Sequence, residues 1–594
     1  MVSILDLGDD ILTDGIAPFL SYQDIFNFSI TCQDIYNLYF ESPYSSIIYK
    51  ILYGKIFSNN DNENHHIKLL QDFNWERYFK LRIRHDQKVY TWGSNDGGRL
   101  GYLLKSIPQD HQSIPPGNFH FLRAFGVHTP TNVVNFNDRI IIDIIANGFC
   151  FIVLTNNGQL YHTGSSISAF GASTPGPHDG YDFYEPPSTM YITRDQNDLG
   201  PRRTLLTHLP NGTNRYDRDI DPETEVDVPQ GRRRLPSRSL RLPPEQLPPI
   251  EGIDDIRPEV KESEFITKLH LPPLKESKYK RKIISINCGR RQILALDNQN
   301  NLYTWDTGTK TNTGIRLKFP GLDITEDKHI IEKIFAGWNI SGCYIATIGL
   351  IIWYSRVPFT KRQFEQEDFT SNANYFIVPN SKHNIVDFAL GEDVVLVIKK
   401  SDPKKLYSVK FNAQEMSNNA HQNVPNYIPS EESLDGFNQW LKQYNYDNGI
   451  QSTFSKLNCC FRNFVVFTNY DSILLGNKDD EDSKVKIIDE LQHQNIKSIE
   501  IGDFHYLALT TDGNILSWGN ESKNCGSLGL GSKEILLEQR PETNNEIIDH
   551  ARDGFTAPKP LLVKNPPFPG KWVSIAASGW HSGGIYVPIE DLNT

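Results

Sequence analysis

The sequence predicts a mainly β protein: a seven-bladed β-propeller closed by an N-terminal strand and preceded by a small α-helical domain. Three observations predict it. A strand–turn–strand unit recurs along the chain, its last copy is truncated, and the missing half stands near the other end.

The clearest unit is IKSIEIGDFHYLALTTDGNILSWGNESKNCGSLGLG, residues 496–531. HYLALT alternates as a half-buried strand does, and ILSW reads as its partner. Asp512-Gly513 between them supplies the positive φ of a tight hairpin. Copies stand at 141–164, with Asn157-Gly158 in the turn, and at 283–308. Weaker copies follow at 331–354, 385–409 and 454–477. The last copy, WVSIAASGWHSGGIYV (572–587), lacks the turn and the strand after it, and VYTWG in residues 88–101 supplies that strand. Counting the split unit gives seven copies. Outside the long insertion their starts lie roughly forty to eighty residues apart, which suits four-stranded blades. Closure by the N-terminal strand removes the open sheet edges an array would leave.

These repeats resemble those of the regulator of chromosome condensation family. The elements that carry the likeness are Gly-x-x-His-x-x-Ala-Leu, Asp-Gly-x-Leu-x-x-Trp-Gly and Leu-Gly-x-Gly. The resemblance covers roughly 88–587 and is weakest over 331–477, where Trp-Gly and the long Gly-rich loop are missing. It implies a propeller at 88–587. The family includes an exchange factor for a Ran-like GTPase, so that activity, or a scaffold role, stands as the alternative function.

Before the ring, Leu7, Ile11, Leu12, Ile16, Phe19, Leu20 and Ile25 are spaced as short amphipathic helices. Asp9 and Asp24 suit helix starts. The order of motifs through Thr31-Cys32-Gln33 resembles an F-box over residues 1–40, with Gly8 in place of the usual proline. The resemblance implies a Skp-type adaptor bound by those seven apolar residues, and through it a cullin–RING ubiquitin ligase. Taken whole, the chain is similar to fungal SCF-associated F-box proteins with condensation-regulator repeats. Residues 41–87 read as a helical linker, with Trp75, Tyr78 and Phe79 on one face, expected to pack on the propeller.

Chemistry is sparse. No phosphate loop, nucleophile elbow or metal-ligand spacing appears, so no enzyme activity, metal or cofactor is expected. His581-Ser582 could pass for a catalytic pair, but His581 shares a repeat slot with His505, which points to bonding between blades. Trp92, Trp305 and Trp518 share another slot and read as inter-blade packing. His65-His66 lies in a polar stretch. A net charge of −12 argues against nucleic acid as a partner. No apolar run approaches the ~20 residues that cross a bilayer, and the first residues do not read as a secretory signal. Seven scattered cysteines without a C-x-x-C pair suit a reducing compartment, cytoplasmic and/or nuclear.

Residues 166–280, rich in Pro and Arg, read as a disordered insertion. Its basic run GRRRLPSRSLRLPP contains Ser237 and Ser239, candidate phosphorylation sites. The loops after Trp92-Gly93 and Trp518-Gly519 should share one rim with the start of the insertion. They nominate Asn95, Arg99, Asn520 and Lys523 for contact with a protein substrate. The function these readings support is substrate recognition for an SCF ubiquitin ligase.

Overall fold

The computed structural model describes residues 7–20, 22–57, 73–102, 107–108, 112–113, 126–164, 259–263, 265–273, 281–290, 292–306, 312–324, 328–354, 357, 359–411, 429–480, 484–522, 524–539, 547–550 and 554–589. Ser237, Ser239 and Lys523 lie outside them, as does most of 166–280.

The described strands form seven sheets arranged as a ring. Blade 1 comprises Ile141–Ala146, Phe151–Thr155, Leu160–Thr163 and Ile266–Leu269. Blade 2 is Ile283–Cys288, Ile293–Asp297, Leu302–Trp305 and Ile315–Lys318, with Thr370–Asn372 added at its edge. Blade 3 is Ile331–Ala336, Ile340–Ile345, Gly349–Tyr354 and Tyr375–Ile377; blade 4 is Ile385–Leu390, Val394–Lys399, Asp402–Lys410 and Ser430–Ser433. Blade 5 shows three strands, Phe454–Cys460, Asn463–Thr468 and Ile473–Asn477. Blade 6 is Ile496–Ile501, His505–Thr510, Ile515–Ser522 and Gly554–Leu562, with Ile548–Asp549 at the edge. In every blade the first strand is innermost and meets its counterparts around the central channel.

Blade 7 is the split one. Gly570–Ser578 and His581–Pro588 come from one end of the chain, and Lys88–Ser94 and Gly126–Asn132 from the other. The register runs from Lys88 opposite Tyr586 to Gly93 opposite His581. The closing strand is therefore where the repeat count puts it. The last copy contributes two strands rather than the single strand expected, because Trp572 to Ser578 already forms the innermost one.

Two further expectations change. Residues 266–269, inside the segment read as a disordered insertion, form the fourth strand of blade 1, with Leu269 opposite Leu160. Their short run ITKL carries too little alternation to register as a strand without its partner. Blade 3, which lacks Trp-Gly, nevertheless has the tryptophan: Trp353 pairs with Ser341 as Trp518 pairs with Tyr506, and is fully buried. A tyrosine follows it in place of the glycine.

The helical segment comprises Ile11–Ile16, Ala17–Phe19, Tyr22–Ser29, Gln33–Tyr36, Asn37–Glu41, Ser45–Phe57 and Trp75–Arg82. Its buried residues belong to the same apolar core as blades 1 and 7. Arg82, almost wholly buried, donates to Ile141 O (3.2 Å) and Ile142 O (2.7 Å), while its guanidinium lies 4.4 Å from the Phe57 ring centre. Tyr78 Oη donates to Val573 O at 3.2 Å, and Lys497 Nζ sits 4.0 Å from the centre of the Tyr78 ring. Ile141, Lys497 and Val573 lie near the starts of innermost strands, so the helices cap that end of the channel. A buried arginine bonded to backbone carbonyls fixes direction as well as position.

Candidate functional site: the open mouth of the propeller channel

Chain direction fixes what lies at the other end. Each innermost strand finishes there, turns, and begins its second strand, and each third strand returns there. The first turns and the loops after Trp-Gly therefore share the face opposite the helical cap.

The glycine of Trp-Gly has a specific task on this face. Gly93 and Gly519 take φ of +107° and +108°, and a Cβ on either would come within 2.5 Å of Trp580 O or Phe504 O. With no side chain there, the next amide reaches the turn: Ser94 N donates to Trp580 O (2.9 Å), and Asn520 N to Phe504 O (2.8 Å). The tryptophans before them, Trp92 and Trp518, are buried, as is Trp305 of blade 2; Trp92 Nε1 donates to Ser527 O (3.1 Å) and Trp305 Nε1 to Asn312 O (3.1 Å). Trp92 thereby reaches a loop of blade 6, the contact between blades expected of its repeat slot, whereas Trp305 bonds a loop of its own blade.

The Gly-rich loops are themselves largely committed to holding the ring. Glu521 is buried, and its carboxylate accepts from the amides of Gly526, Ser527 (3.0 Å) and Leu528 (2.9 Å). Ser527 O in turn accepts from Trp92 and from Ser582 Oγ (2.9 Å), so this loop of blade 6 locks the closing blade. Of the residues nominated for substrate contact, Asn95 is buried and its Oδ1 accepts from Leu100 N at 3.1 Å. Arg99 is 12% exposed and pairs with Asp96 at 3.6 Å. Asn520 is half-buried and holds its turn through its amide. Asn95 and Arg99 thus build their loop instead of presenting a surface, because a turn packed against the neighbouring blade uses its polar groups to satisfy its own backbone.

His505 and His581 occupy equivalent positions and bridge blades. His505 Nε2 lies 2.7 Å from Ser582 Oγ, and His581 Nε2 lies 3.4 Å from Cys150 O. Gln292 fills the slot in blade 2 and donates to Gly337 O (3.0 Å) and Ile340 O (3.1 Å) of blade 3. Burial pushes the His505 imidazole down to about 4 and holds His581 well below its usual value. Ser582 is fully buried and its hydroxyl proton is given to Ser527 O. His505 must then donate to Ser582, which is the wrong direction for activating a nucleophile.

What the face does present is the set of first turns. Their amides run from blade to blade: Gly148 N to Arg290 O (3.3 Å), Arg290 N to Gly337 O (3.2 Å), Trp338 N to Gly391 O (2.8 Å), Glu392 N to Phe461 O (2.8 Å) and Asp503 N to Gly579 O (2.9 Å). With the backbone so used, the side chains stand around the channel mouth. Five are aromatic: Phe149, Trp338, Phe461, Phe504 and Trp580, all half-buried except Phe504, which is 51% exposed. Trp338 and Phe461 touch, with ring centres 4.2 Å apart. Phe461 takes a φ of +57°, a conformation costly for a bulky side chain and concentrated at functional sites. Arg290 Nη1 crosses the opening to Asp503 at 2.8 and 3.1 Å, its guanidinium 4.4 Å from the centre of Trp338 and 5.1 Å from that of Phe149. Glu500 and Asn458 line the vestibule beneath. Sequence reading missed this set. Its signal was available: aromatic residues recur one to three positions past the end of five of the seven first strands, in tight turns where polar residues are the rule.

On the helical segment, Leu12 and Ile25 are buried in the chain's own core, Tyr39 Oη donating to Leu12 O at 2.9 Å. Leu7, Ile16 and Leu20 are half-buried against that core, and Ile11 is 47% exposed. The side chain of Phe19 lies outside what the structure describes. Ile30, not nominated from sequence, is 60% exposed.

A family model for the regulator of chromosome condensation (RCC1) repeat matches residues 496–526. SCF-associated factor 1 of Saccharomyces cerevisiae is 26% identical over an alignment covering 98% of this chain and 97% of that protein. F-box protein pof9 of Schizosaccharomyces pombe is 25% identical, covering 51% of this chain and 58% of that protein. Among solved structures, Prp20p of S. cerevisiae superposes with a TM-score of 0.44 at 13% identity, over 87% of this chain and 95% of that one. Human WBSCR16 gives 0.43 at 12%, over 85% and 99%. In sequence the chain is similar to fungal SCF-associated and F-box proteins, and its own architecture is a seven-bladed propeller of the condensation-regulator repeat type.

Proposed function

We propose that the chain is the non-catalytic substrate-recognition subunit of an SCF (Skp–cullin–F-box) ubiquitin ligase. The helical segment, residues 1–40, binds a Skp-type adaptor, and through it a cullin–RING ligase. The ring, 88–587, binds the protein to be ubiquitinated for degradation. The names of the relatives support this reading. One structural observation carries it: the helices cap one end of the channel through a shared core, and the described residues leave the turn-lined mouth open at the opposite end. A receptor must hold its substrate in a fixed direction from the ligase, and a fused core provides that where a tether would not. Ile11 and Ile30 leave apolar surface that the described residues do not cover.

Affinity purification of the full chain tests the proposal. An adaptor and a cullin are the expected companions. A GTPase that is retained without nucleotide and released by GTP would instead favour the exchange-factor alternative.

A further inference from the structure

The vestibule below the mouth contains a carboxylate that its surroundings leave incomplete. Glu500 lies at the end of the innermost strand of blade 6 and is 9% exposed. The Lys456 charge and the Asn458 side chain act on it, yet its Oε1 has no hydrogen-bond partner among the described residues. A buried carboxylate oxygen left bare is costly. The described cations higher on the face are already engaged. Arg290 is paired with Asp503, Arg462 with Glu392 and Asp479, and Lys478 with Asp393. The rim above is aromatic, through Trp338 and Phe461, and aromatic faces attract cations. The chain itself provides the example: the Arg290 guanidinium rests on Trp338 and Phe149.

We propose that the mouth docks an extended segment of a partner protein that passes a lysine or arginine side chain between the rim aromatics to Glu500. This names the recognition chemistry of the substrate face and rests on the receptor reading above. The aromatic rim supplies contact area; Glu500, which burial keeps protonated to higher pH in the empty vestibule, ionises as the basic head arrives and supplies the charge preference, so binding releases a proton. The alkyl stem of a basic side chain suits the apolar collar, and its head completes Glu500.

The test uses the full chain and fluorescent Gly-Ser peptides carrying one tyrosine and one central arginine or lysine. Citrulline and acetyl-lysine versions keep the shape and remove the charge. The charged peptides should bind about tenfold more tightly than their neutral counterparts. Glu500→Gln should erase that preference, and Phe461→Ala should weaken binding of all four. Melting curves confirm that each variant is folded. If Glu500→Gln does not fold, the comparison of charged with neutral peptides on the unaltered chain, together with Phe461→Ala, decides the matter. Equal binding of charged and neutral peptides overturns the proposal, as does a preference that survives Glu500→Gln. Binding that appears only after removal of 171–255 also overturns it, in favour of the chain's own basic run as occupant. Adaptor co-purification, run in parallel, separates the failures. An intact adaptor complex without charge preference sinks this site and leaves the receptor reading standing.

Discussion

Arg290 and Asp503 meet across the channel mouth, Nη1 lying 2.8 Å and 3.1 Å from the two carboxylate oxygens, and so join blade 2 to blade 6. These blades are not neighbours in the ring. The pair spans the opening, and its side chains are 22% and 16% exposed. Partly shielded pairs of this kind contribute about 1–2 kcal/mol. A double-mutant cycle of Arg290→Gln and Asp503→Asn, read by chemical denaturation, should return a coupling of that size. It should shrink in high salt.

The closing strand should matter far more. Trp92 is fully buried, and truncating such a side chain costs about 3–5 kcal/mol. Trp92→Ala should lower the melting temperature of the whole ring, since the loss falls on the blade that joins the chain's two ends. Gly93→Ala should also destabilise, because a Cβ there meets the Trp580 carbonyl. Thermal unfolding of both variants as a single shifted transition checks the claim. Unchanged melting would place the ring's stability elsewhere.

Removing the insertion should be tolerated if the cut respects blade 1. Loop length changes cost roughly 0.6 kcal/mol per doubling. Deleting 171–255 keeps Ile266–Leu269 and should leave melting nearly unchanged. Extending the deletion to 275 removes that strand, exposes the edge of Leu160–Thr163, and should destabilise clearly. The shorter deletion should nonetheless slow clearance of the cognate substrate if the insertion helps to capture it. A normal clearance rate would make it a spacer.

Stability should depend on pH with two opposing slopes. His128, His162 and His505 are each pushed down to about 4 by burial. The unfolded chain takes up their protons first, so their contribution is full above about 6.5 and is lost as pH falls toward 4. Glu500 is pushed up to about 8 by burial, with the Asp143 charge adding to it and Lys456 and Asn458 opposing. Here the folded state holds the proton longer, so its contribution is full below about 4.5 and is lost as pH rises through 8. Three histidines outweigh one glutamate, and denaturant midpoints should fall steeply below pH 6.5 and gently above it. Glu500→Gln should flatten the gentle arm and, because the Glu500 window reaches down to about 4.5, steepen the fall below pH 6.5.

The sequence made the ring legible where local chemistry and repeat register agreed. Asp512-Gly513 and Asn157-Gly158 mark hairpins because few residues accept positive φ. The split repeat located the closing strand because register is periodic. Ile266–Leu269 was hidden because a four-residue strand has almost no signal of its own, and Trp353 because the glycine that normally flags its slot is absent. On the helical segment, apolar spacing identified helices but could not distinguish Leu12 and Ile25, which face the core, from Ile11, which faces out. All three satisfy the same periodicity, and only the packing of the neighbouring helices, Ser45–Phe57 and the turn carrying Tyr39, decides which face is covered. The mouth residues were missed for a similar reason. Arg290 and Asp503 are 213 residues apart, and nothing local announces their meeting.

The most direct test of the central claim is retention of the adaptor by the full chain carrying Ile11→Asp and Ile30→Asp together. Both positions are exposed, so the substitutions should leave melting unchanged, whereas a charge at buried Leu12 would disturb the shared core. Burying an unpaired carboxylate at the contact costs several kcal/mol. We expect the folded variant to lose the adaptor and cullin that the unaltered chain retains. A folded variant that retains both at full strength would contradict the assignment of these positions to the adaptor-binding surface. An unaltered chain that retains neither would contradict the ligase reading itself.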